Sequence, residues 1–169
     1  MWSSGRLVIV TGLTLAVALG CEASTSDAFT IPDGEEGAVC TPADDRGRAT
    51  VGADCITNTS DEVVTVIDVR LVEPRGLSVG KWTLELAGTE VTGAASGWVS
   101  MSGQWSEGRV GPGETRHLVL GLQRDAEIPS RNGVASAAEI DYQTADGTEG
   151  SLITAFEVAV TPGVATPCG

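Results

Sequence analysis

Residues 61–73 read Asp-Glu-Val-Val-Thr-Val-Ile-Asp-Val-Arg-Leu-Val-Glu, and their alternation decides the fold class. In an extended chain successive side chains point to opposite faces. Val63, Thr65, Ile67, Val69 and Leu71 therefore share one side, and Val64, Val66, Asp68, Arg70 and Val72 the other. The β-branched residues suit a pleated, half-buried surface, and Pro74-Arg75-Gly76 ends the run.

The same period recurs on both sides of this stretch. Upstream, Thr50–Thr57 is strand-like; downstream, Lys81–Ala87 sets Trp82, Leu84 and Leu86 against Lys81, Thr83 and Glu85, with Trp82 expected in the core. Gly111-Pro112-Gly113 is a turn, because proline presets its φ and glycine accepts positive φ. In the strand that follows, Leu118, Leu120 and Leu122 face one way and His117 and Val119 the other, which puts His117 at an exposed rim. Ala135–Gln143 opposes Ala138, Ile140 and Tyr142 to Glu139 and Asp141. Asp146-Gly147 then joins it as a hairpin to Ser151–Val160, where Leu152, Thr154, Phe156, Val158 and Val160 share a face. Gly93, Gly97, Gly103 and Gly108 break up residues 88–108, which read as two edge strands joined by turns. Helical periodicity is missing throughout. About seven strands with turns at short intervals imply an all-β domain of two antiparallel sheets packed face to face.

Three features carry a resemblance at this point. Asn58-Thr59-Ser60-Asp61-Glu62 leads into Val63–Leu71, a Gly-Pro-Gly turn precedes Thr115–Leu122, and Ile140-Asp141-Tyr142 comes late. This pattern resembles the immunoglobulin-like sandwiches of bacterial envelope proteins, over most of residues 40–168. It implies an immunoglobulin-like β-sandwich and little about chemistry. The Cys–Trp–Cys arrangement of antibody domains is absent, and Tyr142 matches the tyrosine-corner position only loosely.

The amino terminus sets the compartment. Arg6, the weakly polar-to-apolar run Leu7–Leu19 and Gly20 supply the positive, apolar and small regions of an export signal in order. Ala18-Leu19-Gly20-Cys21 resembles the lipobox of bacterial lipoproteins, with Ala18 where leucine is usual. The resemblance implies cleavage before Cys21 and diacylation of its thiol, so Cys21 is a tether to the outer face of the cell membrane. Two acyl chains anchor stably where one does not, at about 0.8 kcal/mol per buried CH₂. The expected organisation is a signal peptide over 1–20, an acylated cysteine and disordered spacer over 21–38, and the sandwich over 39–169.

Charge narrows the partners. Of 10 basic and 23 acidic side chains, Arg6 leaves with the signal, so 9 face 23 and the net charge moves from −13 to −14. Nucleic acid and anionic lipid repel such a chain. Lys81 is the single lysine, and the wealth of Arg, Ala, Gly, Val and Thr resembles the usage of a GC-rich actinobacterial genome.

The other cysteines are Cys40, Cys55 and Cys168, so one pair and one leftover thiol are expected in an oxidising compartment. Cys40–Cys168 closes the longer loop, for up to ~5 kcal/mol in the chain-entropy model against ~3 for the alternative, Cys40–Cys55. Cys55 then reads as a small buried hydrophobe in its strand.

Sites for chemistry are scarce. His117 is the single imidazole available as a base. Ser96 in Gly93-Ala94-Ala95-Ser96-Gly97 lacks the Gly-x-Ser-x-Gly spacing of a nucleophile elbow. Met101, His117 and one thiol are too few for a soft metal site, and the Asp33-Gly34-Glu35-Glu36 cluster lacks the alternation of a calcium loop. No catalytic set, metal or cofactor is assigned. Trp98 and Trp105, in a glycine- and serine-rich stretch, form the candidate contact surface, since indoles stack on sugars and anchor protein partners. The expectation is a non-catalytic, membrane-anchored binding or assembly protein of the envelope. A glycan- or peptidoglycan-contacting module and a carboxylate-based envelope hydrolase are the alternatives.

Overall fold

Strand 64–72, at the heart of the alternating stretch, runs through the middle of a sheet whose partners come from the far end of the chain. The computed structural model describes residues 26–31, 37–86, 93–99, 108–125, 127, 132–154 and 156–163. Its strands are β1 (Phe29–Thr30), β2 (Gly37–Pro42), β3 (Arg48–Asn58), β4 (Val64–Val72), β5 (Leu77–Leu86), β6 (Ala94–Ser96), β7 (Arg109–Val110), β8 (Thr115–Arg124), β9 (Gly133–Ala135), β10 (Ala137–Gln143), β11 (Glu149–Ile153) and β12 (Phe156–Thr161). The described chain is all-β, as the alternation requires.

One sheet has the order β1-β3-β8-β5, with β6 added to β3. The opposing strands fall into two groups, β11-β10-β4-β7 and β2-β12-β9. A single long hairpin links these groups. Ser136 alone separates β9 from β10, and two residues separate β11 from β12. Between Ile153↔Glu139 and Val158↔Ala135 one side advances five residues and the other four, which is a β-bulge. Thr154 fills the gap: its Oγ1 accepts from the Ala138 N–H at 2.7 Å and donates to the Ala138 carbonyl at 3.1 Å. The β4–β10 register also continues past Pro74 to a bridge between Arg75 and Val134. The two groups thus act as one bent layer opposite the first sheet. Leu118, Leu120 and Leu122 of β8, Trp82 of β5, Val64 and Val66 of β4, Ile140 and Tyr142 of β10 and Val158 and Val160 of β12 share a single core.

The turns follow their sequences. Asp146 accepts from the Thr148 N–H at 3.0 Å, and Gly147 takes φ +89° in the β10–β11 hairpin. Glu114 closes the Gly-Pro-Gly turn by accepting from the Gly111 N–H at 2.7 Å. Asn58 is buried. Its amide donates to the carbonyls of Glu62 (2.7 Å) and Val110 (2.9 Å), and its oxygen accepts from the Ser60 N–H. Asn58-Thr59-Ser60 is therefore the turn into β4.

Three expectations need correction. The antiparallel rule breaks at β2, which pairs in parallel with β12 over Gly37–Pro42. A parallel neighbour needs a long crossover, and here almost the whole domain serves as one. The spacer expected over 22–38 gives up residues 26–31 and 37–38 to the fold. Ser26 accepts from the Phe29 N–H at 3.0 Å, Phe29 and Thr30 pair with Asn58 and Thr57, and the Phe29 ring meets Tyr142 edge-to-face at 5.0 Å. Phe29 and Ile31 are both buried. In β4 the even alternation fails, because the partner register slips between Asp68 and Val66. That bulge leaves Ile67 and Asp68 both exposed, while Val64, Val66 and Val69 stay buried. The expected signal 1–20 and Cys21 lie outside the described residues.

Candidate functional site

The site lies on the outer face of the first sheet. β8 runs between β3 and β5, and its core side is the Leu118, Leu120, Leu122 ladder. On its other side the registers Cys55↔His117 and Glu85↔His117 set a thiol, an imidazole and a carboxyl in one row across three strands. A bulge between Gly52 and Cys55 brings the sulfur onto this face. Cys55 Sγ lies 3.3 Å from His117 Nδ1.

This face is not the solvated side that its polar residues suggest. His117 is 8% exposed and Glu85 4%, and Thr50, Thr83 and Val119 are buried with them. His117 is therefore no rim histidine, which corrects the sequence reading. Its strand alternates faithfully, but the face opposite the core is covered. Burial pushes the Cys55 thiol above its usual range, and the Asp54 charge adds to the effect. The resting form is the thiol.

Part of the cover is the segment 93–99. β6 pairs with Ala49–Val51 of β3. Thr50 Oγ1 donates to the Gly97 carbonyl at 2.8 Å and accepts from the Val99 N–H at 3.1 Å. Trp98 then lies half-buried against Gly80 and Gly121. A Cβ on Gly80 would stand 2.6 Å from Trp98 Cζ2, and one on Gly121 would stand 3.3 Å from its Nε1. The indole thus requires the glycine at 80, while at Gly121 the nearest atom to an added Cβ would be Lys81 Cγ, at 2.7 Å. The indole N–H donates to the Leu122 carbonyl at 3.1 Å. Lys81 Nζ sits 4.7 Å from the ring centre and Arg48 Cζ 5.4 Å, within the range of cation–π attraction. Burial, and then the Arg48 charge, hold the Lys81 ammonium below its usual range. Arg48 is itself paired with Asp44 at 2.8 Å.

The residues singled out from sequence are thus scattered. Trp98 packs on the sheet, with its N–H satisfied and two cations beside its ring, a poor platform for a sugar. Trp105, Met101, Cys168 and the Asp33-Gly34-Glu35-Glu36 cluster lie outside the described residues. Cys55 is a free thiol, which removes the Cys40–Cys55 alternative. Cys40, in β2 opposite Ala159, is not free, and what it bonds to lies outside the described residues. Ser96 is on β6 opposite Ala49, six residues along β3 from Cys55 and so about 20 Å from it. Among the described residues no group of three His, Cys, Asp or Glu converges as metal ligands. Glu73, Arg75 and Glu157 line a cleft of about 210 Å³ beside β9 and β12, and all three are exposed. The Cys55–His117 pairing was missed from sequence because the residues are 62 apart and meet only through the β3–β8 register.

No protein-family model matches the chain, and no curated protein matches it. Among solved structures it is similar to the ASH / PapD-like domain of human CEP192 (PapD-like domain 7), at 9% identity over 92% of this chain and 96% of that one, with a TM-score of 0.39. It is also similar to the secreted serine protease VesC from Vibrio cholerae, at 7% identity over 72% of this chain and 21% of that one, with a TM-score of 0.30. Scores of this size assign neither a family nor an activity.

Proposed function

We propose that the chain is a lipid-anchored protein of the bacterial cell envelope, whose immunoglobulin-like β-sandwich works by binding or supporting an envelope protein. The observation that carries this reading is the run Arg6–Cys21, an export signal ending in a lipidation cysteine. The cysteine usage agrees with an oxidising compartment, and the acidic charge argues against nucleic acid as a partner. Two features favour a protein over a glycan. The outer face of β4, β10 and β11 offers Ile67 and Ile153 beside charged side chains, a mixture that suits a protein contact. Trp98, which a glycan reading would use, is committed to its own sheet. Cys40 is proposed to pair with Cys168, tying β2 to the end of the chain.

Intact-mass spectrometry of the protein from membranes, together with fractionation of a Cys21→Ala variant, tests the anchor. The expected results are a mature chain that begins at an acylated Cys21 and a variant lost from the membrane fraction. An unmodified, uncleaved amino terminus, or wild-type protein in the cytosol, overturns the reading. Cross-linking on intact cells then identifies the partner.

A further inference from the structure

The anchor and the partner contact leave one cleft unused. It lies where the end of β4 meets β9 and β12, and every residue lining it is among the described ones. Backbone pairing fixes the seam: Arg75 and Val134 exchange both N–H···O=C bonds, at 2.9 and 3.0 Å, and the Ser136 N–H donates to the Val72 carbonyl at 3.1 Å. The Ala38↔Glu157 register of β2 with β12 and the Val158↔Ala135 register of β12 with β9 complete it. The small side chains of Ala38, Ser136 and Ala159 line a volume of about 210 Å³, room for about seven waters at ~30 Å³ each.

Two observations set this cleft apart. Glu73, Arg75 and Glu157 bring one guanidinium and two carboxylates to the same small space, yet among the described residues none of these side chains makes an ion pair or a hydrogen bond. Glu73 also takes φ +48°, the one positive φ of a non-glycine residue among those described. That region is costly for a residue with a Cβ, and such strain clusters at sites that hold ligands.

We propose that the cleft binds a small zwitterion of the α-amino acid class, its carboxylate on Arg75 and its ammonium between Glu73 and Glu157. The planar guanidinium fork matches a carboxylate, and the two glutamates accept from an ammonium. A simple anion would meet the two glutamates, and a simple cation the arginine. A ligand that carries both charges finds a partner for each of the three groups. All three are exposed, so solvent screens each contact. Affinity is therefore modest, and selectivity comes from the pairing of opposite charges in one molecule.

The test follows the backbone amide NMR shifts of the isotope-labelled full-length chain in detergent micelles, titrated with L-alanine at constant pH and ionic strength. Saturable shifts at Arg75, Val134, Ser136 and Glu157 are expected, half-complete at about 1 mM. Acetate and methylammonium are expected to bind at least about tenfold more weakly, as L-alanine is to Arg75→Gln and to Glu157→Gln. Glu73→Gly is expected to bind L-alanine at least about tenfold more weakly and to melt no lower than the wild type, because glycine takes positive φ freely. The absence of saturable shifts up to about 50 mM L-alanine overturns the proposal. So does an equal response to acetate, or a Glu73→Gly variant that binds like the wild type. The comparison of L-alanine with acetate and methylammonium on the wild type decides alone if a variant does not fold.

Discussion

The two layers of the sandwich turn different outer faces away from the shared core. On the β4–β10–β11 side, Ile67 is 49% exposed and Ile153 47%, and Arg70 reaches across to Glu139 (3.0 Å) and Asp141 in the open. On the β3–β8–β5 side, Thr50, Thr83, Val119, Glu85 and His117 are buried, and Trp98 lies in a slot cut by Gly80 and Gly121. Both faces alternate polar with apolar in sequence, and only one of them meets water. An alternating strand states which side packs on the core; it does not state whether the other side has a cover. Here the covered side buries Glu85 and His117, and the imidazole meets the half-buried thiol of Cys55.

The largest effects should test whether that covered side bears weight. Leu120→Ala removes a fully buried side chain from the shared core and should cost about 2–5 kcal/mol in denaturant unfolding. Its neighbour Val119 points the other way and is equally buried, so Val119→Ala should cost about 2 kcal/mol. A solvent-facing valine would change stability by less than about 0.5 kcal/mol. That smaller value for Val119→Ala would abolish the contrast between the faces.

These two positions also mark the limit of what the sequence discloses. The Leu118, Leu120, Leu122 ladder, Trp82, the Gly-Pro-Gly turn and the Asp146-Gly147 hairpin were legible because each depends on a local period or a local φ requirement. Phe29 was not, since a two-residue strand has no period and sits in a polar setting. Ile67 was not, since a one-residue bulge changes the exposed side without changing composition. The meeting of His117 with Cys55 depends on a register between β3 and β8, and the seat of Trp98 on a segment, 93–99, that pairs with the other end of β3. Such features are tertiary, and residues 88–108 were the stretch with the weakest pattern.

A middle-sized effect probes the cover itself. Gly80→Ala places a methyl 2.6 Å from Trp98 Cζ2, so the indole must move or the strand must shift, and overpacking of this kind costs about 1–3 kcal/mol. Displacement would break the bond from Trp98 Nε1 to the Leu122 carbonyl and bring the ring toward water. Indole emission should then shift to the red in the native state. An unchanged spectrum together with unchanged stability would mean that Trp98 is not seated in the slot, and would reopen its use as a contact residue for a partner.

The smallest effect belongs to the open face. Arg70 is half exposed, and its ion pairs with Asp141 and Glu139 lie at the surface, where solvent and salt screen them. Arg70→Ala should therefore lower the unfolding midpoint by less than either substitution on the covered side. The loss should not vanish altogether, because Asp68 and Asp141 stand directly opposite each other in the β4–β10 register and would be left without the cation between their strands. Added salt should shrink the difference between wild type and variant by screening that repulsion. A large, salt-insensitive loss would mean that this face too is shielded from water, and the two outer surfaces would then differ in composition but not in environment.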